Sequence, residues 1–174
     1  MHPPLHDAAI PVFTRYLARL AGLVSSARSF VDEHALPASQ LLEARLAPDM
    51  LPFRTQVEIA ANFALRACFP LAGKAVPPYG EFPANFDGLL ARIARANNLV
   101  ASLDPQDFDG RETQELQDKA GDHVVTLPGH VFLHLYALPN FFFHVSMAYA
   151  ILRSAGVRLG KADYDGFHAY PSNK

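Results

Sequence analysis

Asn140 and His144 stand four residues apart in a stretch rich in Phe and Ala. At helical spacing that places an amide and an imidazole on one face, one above the other. Gln56 interrupts a second apolar run beside Phe53, Ile59 and Ala60, and Asp49 precedes it by seven residues, roughly the same face if both are helical. A histidine, two amide oxygens and a carboxylate can hold a divalent metal, although sites richer in nitrogen or thiolate bind transition metals better. The same residues also read as a hydrogen-bonded pair inside a core, since buried polar groups are normally satisfied.

His130 and His134 form a second pair at His-x3-His spacing. No Glu follows His130, so the HExxH zinc motif is absent, and two ligands do not complete a tetrahedral site. Cys68, the one cysteine, lies between Ala67 and Phe69, an apolar setting that raises a thiol pKa and keeps it inert. The chain holds no GxSxG elbow, no phosphate-binding glycine loop and no CxxC pair.

Such side chains need elements to position them. From Val12, apolar residues at Phe13, Leu17, Leu20, Val24, Ala27 and Val31 predict a long first helix that Pro37 breaks. A second helix is expected from Pro48 through Phe53, Val57, Ala61, Ala64 and Cys68 to Leu71, and a third from Phe86 to Leu103. Between Arg111 and Leu127 the periodicity changes. Glu112 to Gln117 and Asp122 to Leu127 flank the turn-like Lys119, Ala120 and Gly121 and predict a hairpin. After Pro128 the pattern is helical, kinked or interrupted at Pro139, and runs to Gly156; an irregular tail carrying Gly160, Gly166 and Pro171 follows. In the run Phe141, Phe142, Phe143 at least one ring must look away from the core.

The fold class expected is therefore all-α, an antiparallel four-helix bundle with a small β-hairpin before the last helix, in one domain over residues 1–174. Its 15 basic and 17 acidic residues give a net charge of -2, which argues against a nucleic-acid partner. Residues Val131 to Leu152 carry no formal charge and reach the length of a membrane span. Pro139, Asn140, His134 and His144 would all be costly in hydrocarbon, so a buried bundle helix and no membrane partner are expected. The lone cysteine, and a start MHPPLHDAAI that lacks both a basic segment and a continuous apolar run, point to the cytoplasm.

Two blocks, ARLAPDMLPFRTQVEIA from Ala44 to Ala60 and PNFFFHVSMAYAILRSAGVRLGKADY from Pro139 to Tyr164, resemble a bacterial family of unknown function. That family is similar to the DinB/YfiT-like superfamily of four-helix bundles. The resemblance implies a divalent metal, zinc or nickel, held by three histidines, one on the second helix and two at His-x3-His spacing on the last. It also implies dimers, and in some members transfer or isomerisation of small thiol-linked substrates. With the Leu152-Arg153-x-x-Gly156 end as guide, the last histidine falls on His144, the one before it on Asn140, and the second-helix histidine near Gln56. Replacing two imidazoles by amides removes most affinity for zinc or nickel.

Three functions are compatible with these residues. The leading one is a small-molecule-binding bundle with a degenerate metal site, holding either a divalent ion or none. The second is a metal-dependent transferase or hydrolase for a low-molecular-weight thiol, with Asp49 tuning the ion or acting as base. The third is a non-catalytic protein that dimerises through an apolar face.

Overall fold

The computed structural model describes residues 4–168. Four helices form the bundle: α1 (Leu5–Glu33), α2 (Phe53–Leu71), α3 (Phe86–Ala101) and α4 (Gly129–Ser154). A hairpin of β1 (Glu115–Ala120) and β2 (His123–Pro128) precedes α4, and a short α5 (Lys161–Asp165) follows it. The all-α bundle with a hairpin insertion is thus the architecture present. Pro171 lies outside the described residues.

Each helix buries one apolar stripe. Phe13, Leu17, Leu20, Val24 and Ala27 of α1 are fully buried, as are Phe53, Val57, Ala61 and Ala64 of α2 and Phe141, Val145 and Ala148 of α4. Around the core α1 packs on α3, α3 on α2, and α2 on α4, with α1 and α4 also touching. Side-chain pairs fix the directions. Arg28 near the end of α1 meets Asp87 at the start of α3, and Gln56 early in α2 meets His144 late in α4, so both pairs are antiparallel. Phe13 packs on Phe141, and the Phe30 ring lies beside Gly156, so α1 and α4 run parallel. Each bundle helix therefore has one antiparallel and one parallel neighbour.

Several boundaries differ from the sequence expectation. Helix α1 begins at Leu5 and carries Pro11 inside it. It ends at Glu33, before Pro37, where Ala35 takes a left-handed φ of 50° and the Leu36 N–H reaches back to the Val31 carbonyl. Helix α2 starts at Phe53, after Pro52, and not at Pro48; residues 43–52 form an irregular turn. Asp49 is exposed in that turn, so its expected place on the Gln56 helix face is corrected. Helix α3 opens on Asn85, whose side chain accepts from the Gly88 N–H at 2.8 Å. A Cβ at Gly88 would lie 1.9 Å from the Pro83 carbonyl oxygen, which explains a glycine in that first turn.

The hairpin pairs Glu115 with Pro128 through Ala120 with His123, leaving Gly121 and Asp122 as a two-residue loop with φ +62° at Gly121. A positive φ at the first loop position suits the right-handed twist of the flanking strands. Helix α4 runs through Pro139 without a break because a widened π turn, Phe132–Ala137, immediately precedes it. Proline in a regular ladder removes a donor and presses on the carbonyl four residues back, and the wider turn relieves both. The tail expected to be irregular contains α5, which ends on Gly166 at φ +71°.

Candidate functional site

Gln56 and His144 meet. Gln56 sits one turn into α2, is 2% exposed, and is the buried amide of that helix face. His144 projects from the facing surface of α4, and its Nδ1 lies 2.7 Å from Gln56 Oε1. The Gln56 side-chain nitrogen donates at 3.2 Å to the Leu51 carbonyl in the turn before α2. A carbonyl accepts only, so this bond fixes which end of the amide faces the histidine. The oxygen faces Nδ1, so Nδ1 carries the proton and Nε2 keeps its lone pair. Burial pushes the His144 pKa below its ordinary 6.5, which favours this neutral form. The Phe143 ring stands edge-on to the imidazole at 5.2 Å between centroids and is half exposed.

Asn140 shares the α4 face with His144, one turn earlier, and is half-buried. Its side-chain nitrogen donates at 2.7 Å to the Tyr136 carbonyl within the π turn. Among the described residues no hydrogen bond joins Asn140 to Gln56 or His144. Asp49, exposed in the turn before α2, makes no hydrogen bond or ion pair with a described residue. His130 and His134 do not stack as a regular i, i+4 pair, because the π turn begins between them; both are exposed, and His130 Nδ1 is bonded to the Glu112 carbonyl at 2.8 Å. Cys68 is fully buried, and burial raises its thiol pKa well above the usual value.

As a metal centre the site offers few donors. Gln56 gives one oxygen lone pair to Nδ1–H and its nitrogen to Leu51, which leaves His144 Nε2, Asn140 Oδ1 and the second lone pair of Gln56 Oε1 as the donors on that face. One imidazole and two amide oxygens fit zinc or nickel poorly, since tight sites take three or four nitrogen, sulfur or carboxylate ligands. Among the described residues no group of three or more His, Cys, Asp and Glu side chains is placed to hold an ion. What the arrangement does supply is a neutral, oriented imidazole able to accept a hydrogen bond or a proton at Nε2.

A second polar cluster escaped the sequence reading. Asp118 of β1 accepts from Arg66 of α2 at 2.6 Å and from the Tyr136 hydroxyl at 2.8 Å. Its members come from three elements remote in sequence, so no spacing signalled it. Arg66 also donates to the Lys119 carbonyl at 2.7 Å, which clamps the hairpin to the bundle.

Residues 5–165 match the family described as a domain of unknown function, DUF1993. The crystal structure of a DinB family member protein from Shewanella denitrificans has the same fold, with a TM-score of 0.83 and 29% identity over 97% of this chain and 95% of that one. No curated protein matches the chain. With its four-helix architecture and these likenesses, the chain belongs to the DUF1993 family of DinB-like domains.

Proposed function

We propose that this chain is a small-molecule-binding DinB-like bundle with a degenerate metal site, in which His144 Nε2 is the polar contact for the ligand. The hydrogen bond from His144 to Gln56, with Gln56 held in turn by Leu51, carries the reading. An imidazole fixed in one tautomer by a buried amide is pre-organised, so a ligand with an acidic proton or donor group meets an acceptor already in place. No resident ion is needed for that contact. The proposal places the chain in the cytoplasm, where its buried single thiol requires no oxidising compartment.

The test combines metal content with binding. Protein purified without chelator is expected to carry well under one zinc or nickel per chain, and a panel of low-molecular-weight thiols and other protic small molecules is expected to contain ligands whose binding is lost in His144→Ala. A stoichiometric metal lost on the same substitution, with metal-dependent turnover of a thiol, would replace this reading by the transferase or hydrolase one. A panel with no ligand sensitive to His144 would remove it.

A dimerising role is favoured by a separate observation. Leu135 is 74% and Phe143 51% exposed, eight residues apart on α4, with exposed Pro139 between them. The three lie together on the solvent-facing side of α4, suited to an isologous contact.

A further inference from the structure

Because α1 and α4 run parallel, their carbonyl ends finish at the same end of the bundle, where a groove of about 850 Å³ opens between the last turns of α1 and residues 156–158, which follow α4. That volume lies within the range of small-ligand sites. The groove is lined by Ser26, Ser29, Phe30, Glu33, His34 and Arg158, with Gly156 turning the chain at φ +93°. None of these residues belongs to the Gln56–His144 pair.

The aromatic part of the lining is fixed. His34 Nδ1 donates to the Phe30 carbonyl at 2.8 Å, and the two rings lie 4.2 Å apart with an interplanar angle of 30°. The charged part is unspent. Glu33 and Arg158 line the same groove yet form no ion pair with each other or with any other described residue, and Ser26 and Ser29 make no side-chain hydrogen bond among the described residues. Opposite charges facing one concavity without collapsing together are a receptor for a molecule that carries both.

The balance of charge selects that molecule. Glu33 and two helix carbonyl ends oppose a simple anion, whereas Arg158 opposes a simple cation. A zwitterion satisfies both. We propose that this groove binds a small zwitterion of amino-acid type bearing an apolar ring, its ammonium at Glu33, its carboxylate at Arg158 and its ring against the Phe30 and His34 pair. The guanidinium fork suits a carboxylate, and a cation near helix carbonyl ends is favoured. The serine hydroxyls serve as adaptable donors and acceptors along the wall.

The experiment is a titration of the nitrogen-15-labelled 174-residue chain with L-phenylalanine, with N-acetyl-L-phenylalanine and L-phenylalanine amide as probes that each lack one charge. Saturable shifts of the Ser26, Ser29, Gly156 and Arg158 amides are expected. Either blocked compound, and either of the exposed-site variants Glu33→Gln and Arg158→Gln, is expected to bind about two- to fivefold more weakly, the factor that follows from losing one solvent-exposed ion contact. Absence of saturable shifts up to the solubility limit would overturn the proposal. So would equal binding of the three compounds, or shifts unchanged in both variants.

Discussion

The Leu51 carbonyl has no proton to give, and that single restriction propagates through Gln56 to the tautomer of His144. Removing the middle of this relay leaves Nδ1–H facing an apolar wall. Gln56→Leu is therefore expected to lower stability by about 1–3 kcal/mol, the penalty of an orphaned buried donor. Acid acts on the same residue. Burial holds the folded pKa of His144 below 6.5, so as pH falls the unfolded chain takes up this proton first, and the fold loses stability from about pH 6.5 down to the lowered folded value. Gln56→Glu places a carboxylate at Nδ1 and reverses the sign, raising the histidine pKa so that its stabilisation is present in acid and lost as pH rises through that value. Histidine side-chain NMR with urea melts at about pH 5.5 and 7.5 reads both effects; an unchanged His144 titration in Gln56→Glu would show that the amide does not face the ring. Gln56 and His144 were legible in sequence because each is a polar residue on an apolar helical face. Asp49 was misplaced because Pro48 and Pro52 both suit a helix start, and only the backbone distinguishes them.

A two-stranded hairpin is marginal alone; here Leu116 of β1 sinks into the core and one carboxylate ties the strand to the helices. Asp118 is 15% exposed in its side chain and joins β1 to α2 through Arg66 and to the π turn through Tyr136. Desolvation first, and the bond to Asp118 next, push the Tyr136 hydroxyl up to about 12. The fold keeps this proton after the unfolded chain has released it, so the contribution is complete below about pH 10 and drains away between pH 10 and about 12. Asp118→Asn is expected to bring Tyr136 back toward its ordinary range in a spectrophotometric titration. It should also cost about 1.5–3 kcal/mol, as for hydrogen bonds to a charged group. Normal tyrosine titration in the parent chain, with no loss in the variant, would deny the hairpin this anchor. The hairpin itself was readable from Gly121 and the change in periodicity, with its strands offset by one to three residues. The clamp was not, because a charged residue on a strand of mixed polarity looks like solvent-facing surface until the helix behind it is placed.

At the scale of the whole molecule, four apolar stripes announced a bundle, but their arrangement needed coordinates. Antiparallel neighbours throughout are what the sequence predicts, but residues 72–85 and 102–128 are long enough to carry the chain across the bundle as easily as to an adjacent corner, and each helix has one parallel neighbour as well. The same holds for α4, whose most apolar 18-residue window has a mean hydropathy of 1.3, enough in length and composition for a membrane span. A helix wholly sunk in a core would hide that window, yet only 33% of it is buried. Phe141 turns into the core, Phe142 packs on Tyr16, and Phe143 is left outside with Leu135. A second copy related by a two-fold axis would cover this stripe with the same stripe. Light scattering at micromolar concentration is then expected to give twice the 19.1 kDa chain mass. The double substitution Leu135→Glu with Phe143→Glu should give a folded monomer, because both positions face outward and opposing carboxylates across the axis repel. A parent chain that is already monomeric under those conditions would leave the stripe without this partner. Sedimentation of the parent with lipid vesicles, abolished by the same pair of glutamates, would assign the stripe to a membrane surface instead.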